Sequence, residues 1–215
     1  GERSLTYEMA PHDGCCAHDH DCDAENCGAM WCLHQYIDTD KVRALNEEVP
    51  GSCKDLFRSW EDRLDLTKCC SSEEDDPEII IHVPFTCDVK LKSISVIGGS
   101  EGTSPSRLKV FLNRDDVDFT NAGDLPATQE WELVEDARGV MEYNTKFTKF
   151  QAVNTITMFF PECFLGDQTR LHFIGFKGEA TKNQRDKIVN AVYEIKPLPE
   201  DTKAGGDQMM HKSVF

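Results

Sequence analysis

The sequence predicts a mainly β protein, a jelly-roll-like antiparallel β-sandwich with a short N-terminal helix and two flexible tails. Three observations carry this prediction. From Glu78 onward the apolar residues recur with a period of two, while β-branched and aromatic content rises. Turn residues return between the short apolar segments. No amphipathic helix long enough for a parallel crossover intervenes, so the strands are expected to pair antiparallel.

Taken in order, residues 1–30 are polar, acidic and rich in cysteine and histidine. They hold too little apolar surface to offset the entropy of ordering and are expected to form a tail. The folded domain is expected over 31–195. It starts near Trp31 with a short helix capped by Asp38, because Ile37, Val42 and Leu45 fall near one face of a 3.6 period. Pro50-Gly51 ends that element. Residues 52–66 bring Phe57, Trp60 and Leu64 and read as an irregular anchoring segment whose aromatics dock on the main body of the domain.

After the acidic break Glu73-Glu74-Asp75-Asp76-Pro77, strands are expected at 78–83, 88–97, 107–112, 129–134, 140–143, 145–150, 153–160, 170–177 and 187–195. Within 88–97 the apolar parity slips from Val89 and Leu91 to Ile94 and Val96, which predicts a β-bulge. Trp60, Phe85, Phe111, Phe147 and Phe150 are the expected core anchors. Residues 196–215, with Pro197, Pro199 and Gly205-Gly206, read as a second tail.

Net charge and cysteine usage narrow the function. A formal charge of −16 repels phosphate backbones and anionic lipid, so neither nucleic acid nor a membrane surface is an expected partner. The apolar run 78–85 falls well short of the roughly 20 residues that span a bilayer, and the chain reads as soluble. Of the ten cysteines, half crowd into residues 15–32, and two adjacent pairs occur, Cys15-Cys16 and Cys69-Cys70. That pattern suits reduced thiols in the cytosol or nucleus better than a secreted disulfide scaffold.

The densest chemical constellation lies in the N-terminal tail. Cys15, Cys16, His18, His20, Cys22 and Cys27 are candidate zinc ligands, since zinc prefers thiolates and imidazoles. No subset gives the paired knuckle spacing of a structural zinc site, and solvated tail residues are the alternative. Trp31-Cys32-Leu33-His34 begins like a thioredoxin motif but has His34 in place of the resolving cysteine. His82 and His172 lie inside strand patterns and read as sheet residues. Cys87 and Cys163 read as packing residues. Gly98-Gly99-Ser100-Glu101-Gly102 lacks the lysine and the helix of a phosphate cradle, and Asp115, Asp116 and Asp118 read as solvated loop charge rather than a calcium site. No enzyme motif emerges. At the far end Met209, Met210, His211 and Phe215 are candidate partner-binding residues: adaptable or aromatic anchors, with an imidazole able to ligate a metal in a partner's groove.

Several segments together resemble the PITH domain family, named for the proteasome-interacting C-terminal domain of a thioredoxin-like protein. They are Ile37-Asp38, Ala44-Leu45-Asn46-Glu47, Trp60-Glu61-Asp62-Arg63, Val83-Pro84-Phe85-Thr86, Phe111-Leu112-Asn113-Arg114, Asp118-Phe119, Phe150-Gln151-Ala152-Val153, Thr155-Ile156-Thr157 and Gly175-Phe176-Lys177-Gly178. The resemblance implies a jelly-roll sandwich and a non-catalytic adaptor or regulator docking on the 26S proteasome, in cytosol and nucleus. The alternatives are a structural docking component of another large assembly, such as a cytoskeletal one, or a redox- or metal-responsive protein acting through the N-terminal cluster.

Overall fold

The computed structural model describes residues 32–184. Within them lie strands β1 (Arg43–Leu45), β2 (Cys70–Ser71), β3 (Ile79–Gly98), β4 (Arg107–Leu112), β5 (Gln129–Glu132), β6 (Tyr143–Asn144), β7 (Val153–Phe160) and β8 (Arg170–Gln184). All their pairings are antiparallel. The strand expected at 187–195, and both tails, lie outside the described residues.

The segments 78–83 and 88–97, expected as two strands, are one strand of 20 residues. Straight, it would reach about 66 Å, yet its two ends meet. The Thr169 hydroxyl donates to Pro77 O at 2.6 Å, just before the strand, and Gly99 N donates to Arg170 O at 2.8 Å, just after it. The strand must therefore turn back on itself. It does so between Pro84 and Val89, where register with β7 breaks, and register with β8 shifts between Cys87 and Val89. Pro84 has no N–H for the ladder. The corner is held instead from the N-terminal side, where Asp38 N donates to Pro84 O at 2.9 Å and Ile37 bridges to Phe85.

This bend divides one continuous hydrogen-bonded sheet into two layers. The first half of β3 lies between β1 and β7, and β4 and β5 extend that layer; the second half lies between β6 and β8, and β2 borders β8. Odd-numbered Ile79, Ile81, Val83, Phe85, Val89 and Leu91 enter the shared core, and then even-numbered Ile94 and Val96 take over. The change coincides with a register shift between Leu91 and Ser93, the bulge that the parity slip predicts. Facing them are Leu108 and Val110 of β4, Ile156, Met158 and Phe160 of β7, and Ile174 and Phe176 of β8.

Both outer faces are covered in part. On the first layer Ile80, Phe111 and Phe159 lie under Val117 and Ala122 of the β4–β5 loop. On the second, the 52–66 segment acts as the anchor expected of it. Its two 3₁₀ turns, Ser52–Leu56 and Glu61–Leu64, flank Trp60, edge-on to Phe173 at 5.9 Å on that face, and Phe57, which reaches into the shared core and stacks on Phe176 at 5.9 Å. The Arg63 guanidinium lies 4.4 Å from the centre of the Trp60 ring.

Other expectations shift in detail. The N-terminal helix takes the form of two 3₁₀ turns, Cys32–Tyr36 and Thr39–Lys41. The Asp38 carboxylate pairs with Lys41 at 2.6 Å rather than capping a backbone N–H, and the chain leaves the turn for β1, whose partner on β3 outcompetes further helix. Residues 145–150 form a turn, not a strand, with Lys149 N donating to Lys146 O at 2.8 Å and Phe150 N to Phe147 O at 3.3 Å. In that turn Phe150 points to the core while Phe147 is 60% exposed, so Phe147 is not the core anchor expected. Trp60, Phe85 and Phe111 are buried as expected.

Phe176 joins Phe57 from the anchoring segment to Phe85 from the corner, the latter ring at 5.7 Å. Truncating it with Phe176→Ala should lower unfolding free energy by about 3–5 kcal/mol. Urea denaturation should show this as a lower midpoint at unchanged slope.

Candidate functional site

Two histidines of the sheet, His82 and His172, are hydrogen-bonded by the fold's own atoms. Thr157 is buried, and its single hydroxyl proton goes to Arg114 O at 2.7 Å. Its oxygen therefore accepts from His82 Nδ1 at 2.9 Å, which fixes the tautomer of the neutral ring with the proton on Nδ1. Burial, and then the Arg43 charge, push the His82 pKa below the usual histidine value. His172 is also depressed, chiefly by burial, and its Nδ1 donates to Lys68 O at 3.2 Å. Both act as sheet residues.

His82 opens onto a shallow crevice of 230 Å³ whose lining includes Arg43, Asp115, Asp116, Asp118 and Thr157. The charged groups here hold the loop in shape. Arg43 donates to Asp115 O at 3.1 Å, and Arg114 forks onto Asp116 at 2.9 and 2.6 Å. The Asp118 carboxylate accepts from Thr120 N at 2.9 Å and Asn121 N at 3.2 Å. Among the described residues no three His, Cys, Asp or Glu side chains gather as metal ligands.

The thiols divide by environment. Cys53, Cys70 and Cys87 are buried. Burial, reinforced by Glu47, pushes Cys53 far above the ordinary thiol range, burial pushes Cys70 up to about 12, and burial raises Cys87 as well. Such thiols are poor nucleophiles. Cys163, half-buried, donates its S–H to Gly166 O at 2.6 Å and so closes the turn between β7 and β8.

What the fold offers outward is loops held rigidly at the end where β3 finishes and β8 begins. The β7–β8 loop is laced to the β3–β4 loop: Phe164 N donates to Ser104 O at 3.1 Å, Leu165 N to Gly102 O at 3.0 Å, Arg170 N to Thr103 O at 2.8 Å and Ser106 N to Glu162 O at 2.9 Å. Leu165, at the tip, is 89% exposed, the most exposed large apolar side chain among the described residues. Between β5 and β6 the Asp136 carboxylate accepts from Arg138 N, Gly139 N and Met141 N at 2.9, 3.0 and 2.7 Å, fixing a turn that presents Val140, 74% exposed. Sequence reasoning passed over both tips, because an apolar pair such as Phe164-Leu165 looks the same whether it faces a core or solvent. The zinc candidates Cys15, Cys16, His18, His20, Cys22 and Cys27, and the partner-binding candidates Met209, Met210, His211 and Phe215, lie outside the described residues.

Comparison with known proteins gives one family. A family model described as the PITH domain matches residues 23–197. PITH domain-containing protein 1 of Dictyostelium discoideum is 43% identical over 188 residues, covering 87% of this chain and 91% of its own. The protein of that name in Homo sapiens is 32% identical over 189 residues, covering 87% of this chain and 89% of its own. Among solved structures, the family 32 CBM from C. perfringens NanJ, in complex with galactose, covers 67% of this chain and 95% of its own at a TM-score of 0.48 and 10% identity.

The titrating groups lead to two expected outcomes. With the histidine pKa values depressed on folding, the unfolded state takes up protons first as pH falls below the ordinary value of about 6.5. Stability contributed by neutral His82 and His172 is complete above that pH and is lost on acidification toward their folded pKa values. Urea midpoints between pH 7 and 5 should therefore fall, and less steeply in the His82→Gln, His172→Gln double variant. Mass spectrometry after brief iodoacetamide treatment at pH 8 should find Cys53, Cys70 and Cys87 unmodified in the folded protein and modified in urea.

Proposed function

Because the chain belongs to the PITH domain family, we propose that it acts as a non-catalytic protein-binding module, an adaptor or regulator associated with the 26S proteasome in cytosol and nucleus. The observation that carries this reading is the extent of the family match. It spans the whole described sandwich, and the Dictyostelium and human relatives align over about nine-tenths of their own lengths. The family takes its name from a proteasome-interacting domain. The physical arrangement supports binding over chemistry. His82 and His172 are hydrogen-bonded within the sheet and Cys53, Cys70 and Cys87 are buried, while apolar side chains stand on loops whose backbone is already hydrogen-bonded, so docking them costs little additional ordering. The strong negative charge favours a protein partner over nucleic acid or anionic lipid.

The test is affinity purification of the tagged full chain from native lysate, with a version lacking residues 207–215 alongside. Proteasome subunits should co-purify with the full chain, and removing Met209, Met210, His211 and Phe215 should reduce their recovery severalfold. Absence of proteasome subunits, with or without another assembly in their place, would overturn the proteasome reading; equal recovery by both versions would remove the tail from it.

A further inference from the structure

The end of the sandwich that carries Leu165 combines three features that together define a partner. The apolar tip is extreme in exposure and is not free to fold away. Four backbone hydrogen bonds tie its loop to the β3–β4 loop, and Cys163 closes the turn beneath it. Gly102 is fitted to it: φ there is +83°, and a Cβ at that position would stand 2.5 Å from the Leu165 Cβ. Phe164, 40% exposed, adjoins it. This is an apolar knob built to stay out in water.

Around the knob acids outnumber cations. Glu101 precedes Gly102, and Asp167 comes just after the tip; both are exposed. The turn 73–76 is brought to the same end by Thr169, whose carbonyl accepts from Ser72 N at 2.9 Å, and by Gln168, which donates to Ser72 O at 2.7 Å. It adds the exposed Glu73, Glu74, Asp75 and Asp76. None of these six acids has an ion-pair partner among the described residues. Of the nearby cations, Arg107 is paired with Glu162 at 3.4 Å, which leaves Arg170, donating to Ser71 Oγ at 3.3 Å. Such a rim repels an anionic membrane, and it repels a second copy of this chain through the same face. It attracts a basic protein surface.

We propose that this end, with Leu165 and Phe164 at its centre and the acids of 73–76, Glu101 and Asp167 at its rim, docks on a protein whose contact face is basic and holds an apolar pocket for the knob. The inference rests on the protein-binding reading above and names the partner's chemistry. Apolar anchors set the lifetime of such a complex, and the rim sets its rate of formation and its salt dependence.

The experiment uses the full chain, tagged, in native lysate at low and at raised salt. It compares wild type with the Phe164→Ser, Leu165→Ser double variant and with Phe147→Ser, an exposed aromatic on a different loop. A photo-crosslinking phenylalanine analogue at position 165 reports what the knob touches. The captured protein should fall about tenfold or more in the double variant, persist in Phe147→Ser, weaken with salt, and carry its crosslink on a segment flanked by lysine or arginine. Undiminished capture by the double variant, a crosslink to an acidic or uncharged face, a crosslink to a second copy of this chain, or no capture by wild type would overturn the proposal. The partner's identity is read separately. Capture of a basic-faced protein other than the proteasome, with this dependence on residues 164 and 165, would overturn the proteasome reading and leave the docking face standing. Proteasome capture that ignores both residues would do the reverse. Circular dichroism of each variant matching wild type establishes that the comparison is between folded proteins.

Discussion

Between Pro84 and Val89 the ladder of β3 is interrupted on both sides, and the strand uses that interruption to pass from one layer of the sandwich to the other. A proline without an N–H loosens the register there, while Ile37, Asp38 and Tyr36 supply hydrogen bonds from outside the sheet. Because β3 contributes core residues to both layers, neither half can open without exposing the apolar face of the other. The corner is also where Phe85 meets Phe176, and through it Phe57. The N-terminal anchoring segments are thereby tied to the bend itself.

The consequence for function appears at the opposite end. Once β3 has folded back, its two ends converge on Thr169 and Arg170, and the loops that leave the sheet there are forced into contact. They satisfy one another's backbone groups, as loops held away from water must. Ser72, buried, donates N–H to Thr169 O and accepts from Thr169 N at 3.0 Å through its hydroxyl, so the acidic turn next to it is placed by the same knot. An exposed leucine on a wandering loop would mean little; one fixed by a lattice of backbone bonds has already lost the entropy that binding would otherwise cost. The bend in the core and the presentation of the knob are two ends of one construction.

Much of this frame was legible in the residues. The spans of β4 and β7 come directly from apolar alternation, and the slip of parity after Leu91 located the bulge. The aromatics of 52–66 announced an anchor. Other features were hidden for physical reasons. β1 and β2, three and two residues long, are too short to show a period and exist because an edge of β3 or β8 is open to them. Pro84 looked like a break between strands because local sequence cannot show the outside partners that carry a strand through a corner. Phe147 and Phe150 differ only in which side of a tight turn each occupies. The exposed tips at Val140 and Leu165 were invisible for the same reason: hydrophobicity reports what a side chain prefers, and only the loop–loop hydrogen bonds decide whether it gets it.

The claim that one bent strand braces both the core and the docking loops is tested most directly by residue-resolved hydrogen exchange on the native full chain. The account predicts that the amides of Leu165, Ser106 and Arg170 exchange only through the same global opening that releases both halves of β3, with matching free energies under mild denaturant. Loop amides that exchange freely while β3 stays protected, or halves of β3 that open separately, would contradict it.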